Sequence, residues 1–396
     1  MFGVSSTKPP QIVFPFINFN NNNNNINKGF GFNSGMDLIP KLNKWFFLSQ
    51  QQNNNNNNKV IDSDILVNNN GFDAVSAANK TQADHLVIMV NGIIGSATDW
   101  EYAAKQFVNK LPDKVIVHCS ESNSATLTFD GVDRMGERLA EEVVAVTKRW
   151  PEVSKISFVA HSLGGLVARY AIGKLYENSS SEAKIAGLQP VNFITVATPH
   201  LGSRGPGQLP LLCGLSFLER SALQTAHWVA GRSGKHLFLT DNDDGELPLL
   251  IRMVSDSKDI KFISALGSFK RRVAYANANY DHMVGWETSS IRRQHELPNS
   301  NLLSEDKKYP HIVYVQQDQP IAAEAVQNET PSAISPEEFD EEMIRGLTQK
   351  PWERVDVSFQ KSTQRYIAHS TIQVKSYWLN SDGADVVLHM IDNFSL

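Results

Sequence analysis

Two patterns of hydrophobic and polar positions alternate along the chain from residue 83 onward. Short apolar runs predict buried strands, at 86–90, 115–117, 156–159, 191–196, 272–276 and 355–359. Between them, apolar residues recur at near-helical spacing and predict helices, at 130–150, 163–176 and 385–393. Apolar strands separated by helices are typical of a parallel sheet that is covered on both faces. The pattern therefore predicts an α/β fold with a mainly parallel sheet.

The first 82 residues do not follow this alternation. Unbroken asparagine runs occupy 20–25 and 53–58, and a shorter run follows at 68–70. Such tracts bury little apolar surface and are usually disordered. We therefore predict a low-complexity, disordered leader over 1–82 and one large domain over 83–396.

Two stretches inside the predicted domain depart from the alternation. Residues 203–270 begin with frequent Gly and Pro and contain an apolar cluster at 209–218. They predict a lid or cap insertion, although a tight core would absorb the cluster equally well. On a lid, the cluster would also suit peripheral contact with a membrane. Residues 318–346 predict an acidic loop, because 318–342 hold eight acidic residues and no Lys or Arg.

Composition and charge narrow the classes of function. The chain of 396 residues has a formal net charge of −5, whereas nucleic-acid binders usually present a basic face. No nucleic-acid partner is therefore predicted. The only cysteines, Cys119 and Cys213, predict neither a disulfide framework nor a zinc site. Residues 241–246 are similar to a calcium loop, but their glycine comes one position early. No metal and no cofactor are predicted.

Signals for targeting are weak in this sequence. No apolar run approaches the roughly 18 residues that cross a bilayer, and no compact secretory signal is present. An intracellular location, most simply the cytoplasm, is therefore expected. The first 36 residues contain no Asp or Glu, and acid-poor leaders can direct proteins to organelles. A plastid or other organelle thus remains the alternative.

The motif Ala160-His161-Ser162-Leu163-Gly164 follows an apolar run and precedes a helix-like run. This is the layout of a nucleophile elbow, a sharp strand-to-helix turn that presents a serine. The residues two before and two after the serine pass close together, and the usual motif has Gly at both positions. Ser162 is the candidate nucleophile. The alternative is that it only caps the next helix.

A serine nucleophile needs a base that takes its proton and an acid that orients the base. In this fold type they follow the serine in the order acid, then histidine. Asp281 is the candidate acid, because it follows the strand at 272–276 on the sheet edge that carries the elbow. His369 is the candidate base, because it follows the last strand. The rival base is His389, and the rival acids are Asp241, Asp243, Asp244, Asp256 and Asp259.

Acyl transfer also requires donors for the negatively charged carbonyl oxygen. The loop Asn91-Gly92-Ile93-Ile94-Gly95 follows the first predicted strand. Its Ile93 N–H, together with the Leu163 N–H after the serine, is the candidate oxyanion hole. Many lipases and esterases have His-Gly where this chain has Asn-Gly. An ordinary Asn-Gly turn is the alternative interpretation.

Several motifs together resemble one known family. They occur in this order: Val90-Asn91-Gly92-Ile93-Ile94-Gly95-Ser96, Asp130-Gly131-Val132-Asp133-Arg134-Met135-Gly136, Ala160-His161-Ser162-Leu163-Gly164-Gly165-Leu166, Thr198-Pro199-His200-Leu201-Gly202-Ser203 and Tyr280-Asp281-His282-Met283-Val284. They are similar to the "putative serine esterase", lipase-like family of α/β-hydrolases, especially its plant members. The C-terminal motifs at 368–373 and 382–387 are similar too. The resemblance covers about 83–396 and implies an α/β-hydrolase fold with a Ser/Asp/His triad.

These observations predict a serine hydrolase that cleaves carboxylic esters of lipid or acyl substrates. Ser162 would attack, His369 would transfer the proton and Asp281 would orient His369. Two alternatives keep the same fold. One is a non-catalytic lipid-binding protein, and the other is an acyltransferase or thioesterase with the same triad. Three further histidines near the motifs are interpreted as structural or pocket-lining residues: His161, His200 and His282.

Overall fold

A nine-stranded sheet forms the centre of the protein in the computed structural model. The structure describes residues 65–67, 73–76, 83–178, 182–203, 231–242, 245–317 and 338–396. In space the strands run β1-β2-β4-β3-β5-β8-β9-β11-β10, and β6 and β7 form a separate hairpin. Their bounds are β1 Ile65–Val67, β2 Asp73–Ser76, β3 His85–Val90, β4 Val115–Cys119, β5 Lys155–His161, β6 Tyr176–Asn178, β7 Ala183–Ile185, β8 Gln189–Val196, β9 Arg271–Asn277, β10 Ile312–Gln317 and β11 Glu353–Val357. The six central strands, which lie in the order β4-β3-β5-β8-β9-β11, are parallel. Antiparallel pairs form both edges of the sheet. The predicted α/β-hydrolase fold is confirmed.

Helices cover both faces of this sheet. Those with both ends in the described residues are α1 Glu101–Lys110, α2 Val132–Arg149, α3 Leu163–Leu175, α4 Leu249–Arg252, α5 Phe262–Ser268, α6 Trp286–Ser290, α7 Phe339–Leu347, α8 Ala368–Thr371, α9 Tyr377–Asn380 and α10 Ala384–Asp392. Residues 231–237 are helical as well. One hydrophobic core lies under α2, α3, α5 and α7, and a second lies under α1 and α10. Along β3, Leu86 and Ile88 enter the first core, and Val87 and Met89 enter the second. None of the helices in these ranges is long and apolar enough to cross a membrane.

The predicted strands and helices are present, with small shifts at their ends. The helix predicted at 130–150 is α2, and the helix predicted at 163–176 is α3. The strand predicted at 355–359 is β11, which ends two residues earlier. Phe359 lies beyond the strand but is fully buried in the second core. Its apolar character reflects that burial and not a strand.

Two strands lie inside the stretch that the sequence predicts to be a disordered leader. β1 and β2 pair with each other, and β2 joins the sheet by pairing Asp73 with His118 of β4. Asp73 is buried there and hydrogen-bonds His118. The predicted leader, 1–82, is therefore too long at its C-terminal end. The remaining leader residues lie outside the described ranges.

The described part of the predicted insertion at 203–270 packs mainly into the first core. Leu250 of α4 and Leu266 of α5 are buried there. The segment lies so close to α3 that a Cβ on Gly173 would be 2.8 Å from the Phe262 ring. The apolar residues of α4 and α5 thus serve the core. The predicted lid cluster at 209–218 lies outside the described residues.

The acidic stretch predicted as a loop over 318–346 ends in a helix, α7. Phe339, Met343, Ile344 and Leu347 are buried in the first core. Their spacing places them on one side of a helix, so the acidic residues between them remain at the surface. The prediction of a loop is wrong for 339–346, because the high acidic content hides this apolar periodicity. Residues 318–337 are not among those described.

Candidate active site

Ser162 lies at a sharp turn between β5 and α3. Its φ is 54°, in the left-handed region that a non-glycine residue adopts only where the surroundings enforce it. A Cβ on Gly164 would lie 2.5 Å from the carbonyl oxygen of Asn91, so only glycine fits there. Ala160 is fully buried within the first core. The position that usually holds Gly therefore accepts a methyl group in this chain.

Three side chains from distant parts of the chain meet at this turn. The Ser162 Oγ lies 3.0 Å from His369 Nε2, and His369 Nδ1 lies 3.0 Å from Asp281 Oδ2. Asp281 follows β9, and His369 lies on α8 after β11. Because β5, β9 and β11 belong to one parallel sheet, the segments after their carboxyl ends reach the same edge. The fold thus brings the three candidate residues into one hydrogen-bonded row.

Asp281 is held as an anion at the end of this row. Its Oδ1 accepts hydrogen bonds from the backbone N–H groups of Met283 and Val284, and its Oδ2 accepts one from Asn277 Nδ2. Burial would raise the pKa of this carboxyl, but the charge and hydrogen bond of His369, with the other donors, hold it below its usual value. An ionised Asp281 stabilises a positive charge on His369.

His161 contacts His369 through a hydrogen bond to its backbone and through the two rings. Its Nε2 lies 2.7 Å from the backbone oxygen of His369, and the two rings are 4.6 Å apart. Burial, followed by the nearby charge of His369, lowers the pKa of His161 well below its usual value. A neutral His161 donates its Nε2–H to that carbonyl, in agreement with the structural role predicted for it.

Among the residues that the structure describes, the other candidate histidines and acids do not join the row. The His200 Nε2 lies 2.9 Å from Thr195 Oγ1, His389 Nδ1 lies 2.9 Å from Tyr275 Oη, and His282 is exposed. Asp241 and Asp256 accept hydrogen bonds from backbone N–H groups near α4 and α5. Asp259 is exposed, and Asp243 and Asp244 lie outside the described residues.

The predicted oxyanion loop lies directly against Ser162. A Cβ on Gly92 would be 2.8 Å from the Ser162 Cβ, so the backbone needs glycine to approach this closely. The Gly95 N–H donates to Gly92 O at 3.1 Å and closes a turn around Ile93. Leu163 is the first residue of α3, and the first N–H groups of a helix have no acceptor within it. Ile93 and Leu163 line one pocket with Ser162.

Residues 80–291 match the family described as "Putative serine esterase (DUF676)". The chain belongs to this family. It is 30% identical over 216 residues to "Putative lipase C4A8.10" of Schizosaccharomyces pombe, covering 52% of this chain and 26% of that protein. It is 33% identical over 223 residues to "Putative lipase ROG1" of Saccharomyces cerevisiae, covering 55% of this chain and 30% of that protein. The chain thus spans less than a third of the length of either relative.

The solved structures to which this serine esterase family member is similar share much less of its sequence. An α/β hydrolase superfamily protein from Enterococcus faecalis matches with a TM-score of 0.39 and 11% identity, covering 78% of this chain and 94% of that one. The mature form of the Bacillus licheniformis lipase BlEst2 matches with a TM-score of 0.32 and 15% identity, covering 50% of this chain and 67% of that one.

The pocket of this serine esterase family member is small and apolar. It measures about 290 Å³, including space that is open to solvent. Its lining residues are Ile93, Ser162, Leu163, Pro199, Ser203, Leu237, Met283 and Val284. Met283 and Val284 belong to a motif noted in the sequence, but Leu237 has no local signal. It reaches the pocket because Ser203 N–H donates to its carbonyl oxygen at 2.8 Å. Within the described ranges, no group of three His, Cys, Asp or Glu side chains is arranged to hold a metal ion.

Proposed function

We propose that this protein is a serine esterase that hydrolyses carboxylic esters of lipid or acyl substrates. The observation that supports this most strongly is the row Ser162 Oγ, His369 Nε2 and Nδ1, and Asp281 Oδ2, with both contacts at 3.0 Å. A serine becomes a nucleophile when a correctly placed imidazole takes its proton and a carboxylate orients that imidazole. Membership of the serine esterase family supports the same reaction class.

In the first half-reaction, Ser162 Oγ attacks the carbonyl carbon of the ester while its proton passes to His369 Nε2. The carbonyl oxygen becomes negatively charged and accepts hydrogen bonds from the N–H groups of Ile93 and Leu163. The bond between carbonyl carbon and alcohol oxygen then breaks, and the alcohol leaves with the proton from His369. An acyl group remains on Ser162.

In the second half-reaction, water takes the place of the alcohol. His369 Nε2 accepts a proton from the water, whose oxygen attacks the acyl carbon. The bond to Ser162 Oγ breaks, and the serine recovers its proton from His369. Asp281 accepts the Nδ1–H of His369 throughout and stabilises the positive imidazolium. The products are one carboxylic acid and one alcohol, and the enzyme returns to its starting state.

The walls of the pocket favour an acyl group over a charged substrate. Its lining residues are mainly apolar, and hydrophobic pockets with a few polar groups are typical of small-molecule sites. Two relatives bear the name lipase. We therefore propose acyl esters, including lipid esters, as the substrate class. Predicted peripheral membrane contact through the lid depends on residues outside the described ranges.

The decisive test is labelling with a fluorophosphonate, which reacts with an activated serine. We expect the probe to label the full chain at Ser162, and Ser162→Ala to lose both the label and short-chain ester hydrolysis by about 10⁵- to 10⁶-fold. Ser203→Ala is the matched control, because Ser203 lines the same pocket and should leave labelling intact. Unlabelled but folded protein would instead favour the non-catalytic lipid-binding alternative.

A labelled enzyme can still be a transferase or a thioesterase. Product analysis with an ester, a matched thioester and a competing alcohol separates these alternatives. Hydrolysis of the ester to free acid, with little transfer to the alcohol, is the result that we expect. Predominant transfer to the alcohol would contradict the assignment as an esterase while retaining Ser162 as the nucleophile.

A further inference from the structure

Large apolar side chains remain exposed on both sides of His369 in the chain. Tyr366 and Ile367 precede α8 and are 65% and 44% exposed. Tyr377, Trp378 and Leu379 of α9 are 57%, 86% and 51% exposed. We call these five side chains the aromatic surface. Single exposed apolar residues are common on proteins, but a cluster of this kind marks an interaction site.

Several contacts fix the two parts of the aromatic surface, Tyr366 with Ile367 and the side chains of α9. The segment at 363–367 packs against α9, and Gln364 Nε2 donates to Ser381 Oγ at 3.0 Å. The Tyr377 ring stacks on Tyr102 at 4.9 Å. The Tyr366 ring meets Tyr280 edge-on at 6.0 Å. The two parts of the aromatic surface are therefore held near each other, and Tyr366 contacts Tyr280, the neighbour of Asp281 in the chain.

The chain segment that carries this surface is basic, although Asp382 follows it directly and accepts a hydrogen bond from Ser362. Residues 357–381 contain Lys361, Arg365 and Lys375 but no Asp or Glu, although the chain carries a net charge of −5. Lys361 pairs with Glu305, and Lys375 pairs with Asp99. Arg365 lies over the rings of Tyr280 and Tyr366 and has no carboxylate partner among the described residues. A positive charge thus accompanies the exposed aromatic rings.

We propose that the aromatic surface binds a lipid membrane with anionic headgroups. Trp and Tyr combine an apolar body with a polar tip, which suits the boundary between acyl chains and headgroups. Arg365 provides a charge that attracts anionic lipid. This site lies on the segment that carries His369, whereas the predicted lid is a different part of the sequence. It would hold the Ser162–His369 pair beside the lipid, and binding itself requires no ester hydrolysis.

The test uses the full chain with Ser162→Ala, so that the vesicles stay intact. Co-sedimentation is measured with phosphatidylcholine vesicles that do or do not contain phosphatidylserine. We expect Trp378→Ala combined with Leu379→Ser to weaken partitioning at least about tenfold, because two large side chains lose their burial in lipid. Val315→Ser is the control, since Val315 is 45% exposed on edge strand β10.

Two further measurements separate the contribution of charge to membrane binding from that of apolar contact, and membrane binding from catalysis. Arg365→Gln should weaken binding about fivefold on vesicles with phosphatidylserine and leave binding to pure phosphatidylcholine unchanged. In chains that retain Ser162, the double variant should keep its activity on a soluble short-chain ester and lose activity on vesicle-borne ester. If no esterase activity exists, the co-sedimentation result still decides the membrane proposal.

Several outcomes would overturn this proposal. One is failure of the parent chain to bind either kind of vesicle, and another is a double variant that binds as strongly as the parent. A dimer in solution that the double variant converts to a monomer would assign the aromatic surface to a second copy of the chain. Equal loss of binding in Val315→Ser would show that the effect is not specific to this surface.

Discussion

The amide of Asn91 connects the predicted oxyanion loop to the loop that follows β4. Its Nδ2 donates to Asn123 O at 2.9 Å and to Gly92 O at 3.2 Å. Asn123 is fixed in turn, because its Nδ2 donates to Met135 O of α2 at 2.8 Å. This chain therefore braces the candidate oxyanion donor, Ile93, with an asparagine where many lipases and esterases have histidine.

Asn91→Ala should lower kcat for a soluble ester about tenfold to a hundredfold with little change in KM, because misaligned oxyanion donors mainly weaken the transition state. Asn192→Ala is the control. Asn192 is buried in the middle of β8, and its Nδ2 donates to Ser157 Oγ at 2.9 Å. Both variants should lose about 1–3 kcal/mol of unfolding free energy. An equal loss of kcat in Asn192→Ala would attribute the effect to stability alone.

Local motifs predict the central residues of the site but not their supports. Ser162, Asp281 and His369 each follow a recognisable strand, so chain order and sheet topology suffice to find them. The contact of Asn91 with Asn123 spans 32 positions, and the bond of His161 to the His369 backbone spans 208. Nothing in the local pattern indicates such pairs, because they depend on how distant loops pack.

At the scale of elements, the elbow between β5 and α3 depends on close contact with the end of β3. A Cβ on Gly164 would lie 2.5 Å from Asn91 O and 2.6 Å from Val90 O, and backbone oxygens cannot move away cheaply. The opposite side of the turn is less restricted, since Ala160 already carries a methyl group within the core. The two positions that the usual motif treats alike are therefore unequal in this chain.

Gly164→Ala should abolish fluorophosphonate labelling, by at least about a hundredfold, because the collision displaces either Ser162 or the oxyanion loop. Ala160→Gly should keep the label and lose about 1 kcal/mol of stability, since glycine gains more freedom on unfolding. Labelling rates and thermal unfolding of both variants test this contrast. Normal labelling of Gly164→Ala would show that the turn is looser than the contacts indicate.

The pattern of hydrophobic residues predicts some strands and helices of this chain correctly and misses others. β3 and β5 are predicted well because both of their faces are buried, so nearly every residue is apolar. β1 and β2 are missed because they have only three and four residues and lie next to an asparagine run at 68–70. α7 is missed because its acidic residues dominate the composition of 318–342, while its four apolar positions still follow a helical period.

At the scale of the whole molecule, a buried ionic network ties the edge of the sheet to α2. His118 of β4 hydrogen-bonds Asp73 of β2 through Nδ1 and Glu142 of α2 through Nε2. Glu142 also accepts hydrogen bonds from the Ser120 and Ser122 hydroxyls at 2.6 and 2.7 Å. The network thus holds β2, β4 and α2 together, and it also fixes the loop that leads to Asn123.

This network should make stability depend on pH. Burial alone would lower the pKa of His118, but its hydrogen bonds to Asp73 and Glu142 raise it to about 9. Burial would raise the pKa of Glu142, but His118 and the surrounding donors lower it to about 2. The His118 contribution is complete below its unfolded pKa of about 6.5 and is lost as the pH rises through about 9. The Glu142 contribution is complete above about 4.5 and is lost as the pH falls through about 2.

Wild-type protein should therefore lose about 2–3 kcal/mol of unfolding free energy between pH 7 and pH 10, because His118 releases its proton in the folded state. His118→Gln keeps a polar group at this position but cannot titrate, so its unfolding free energy should start lower and change less over the same range. His311→Gln is the control, since His311 pairs with Asp385 near the surface. Denaturant titrations at each pH measure the difference. Parallel pH profiles for wild type and His118→Gln would mean that His118 is not charged within the fold.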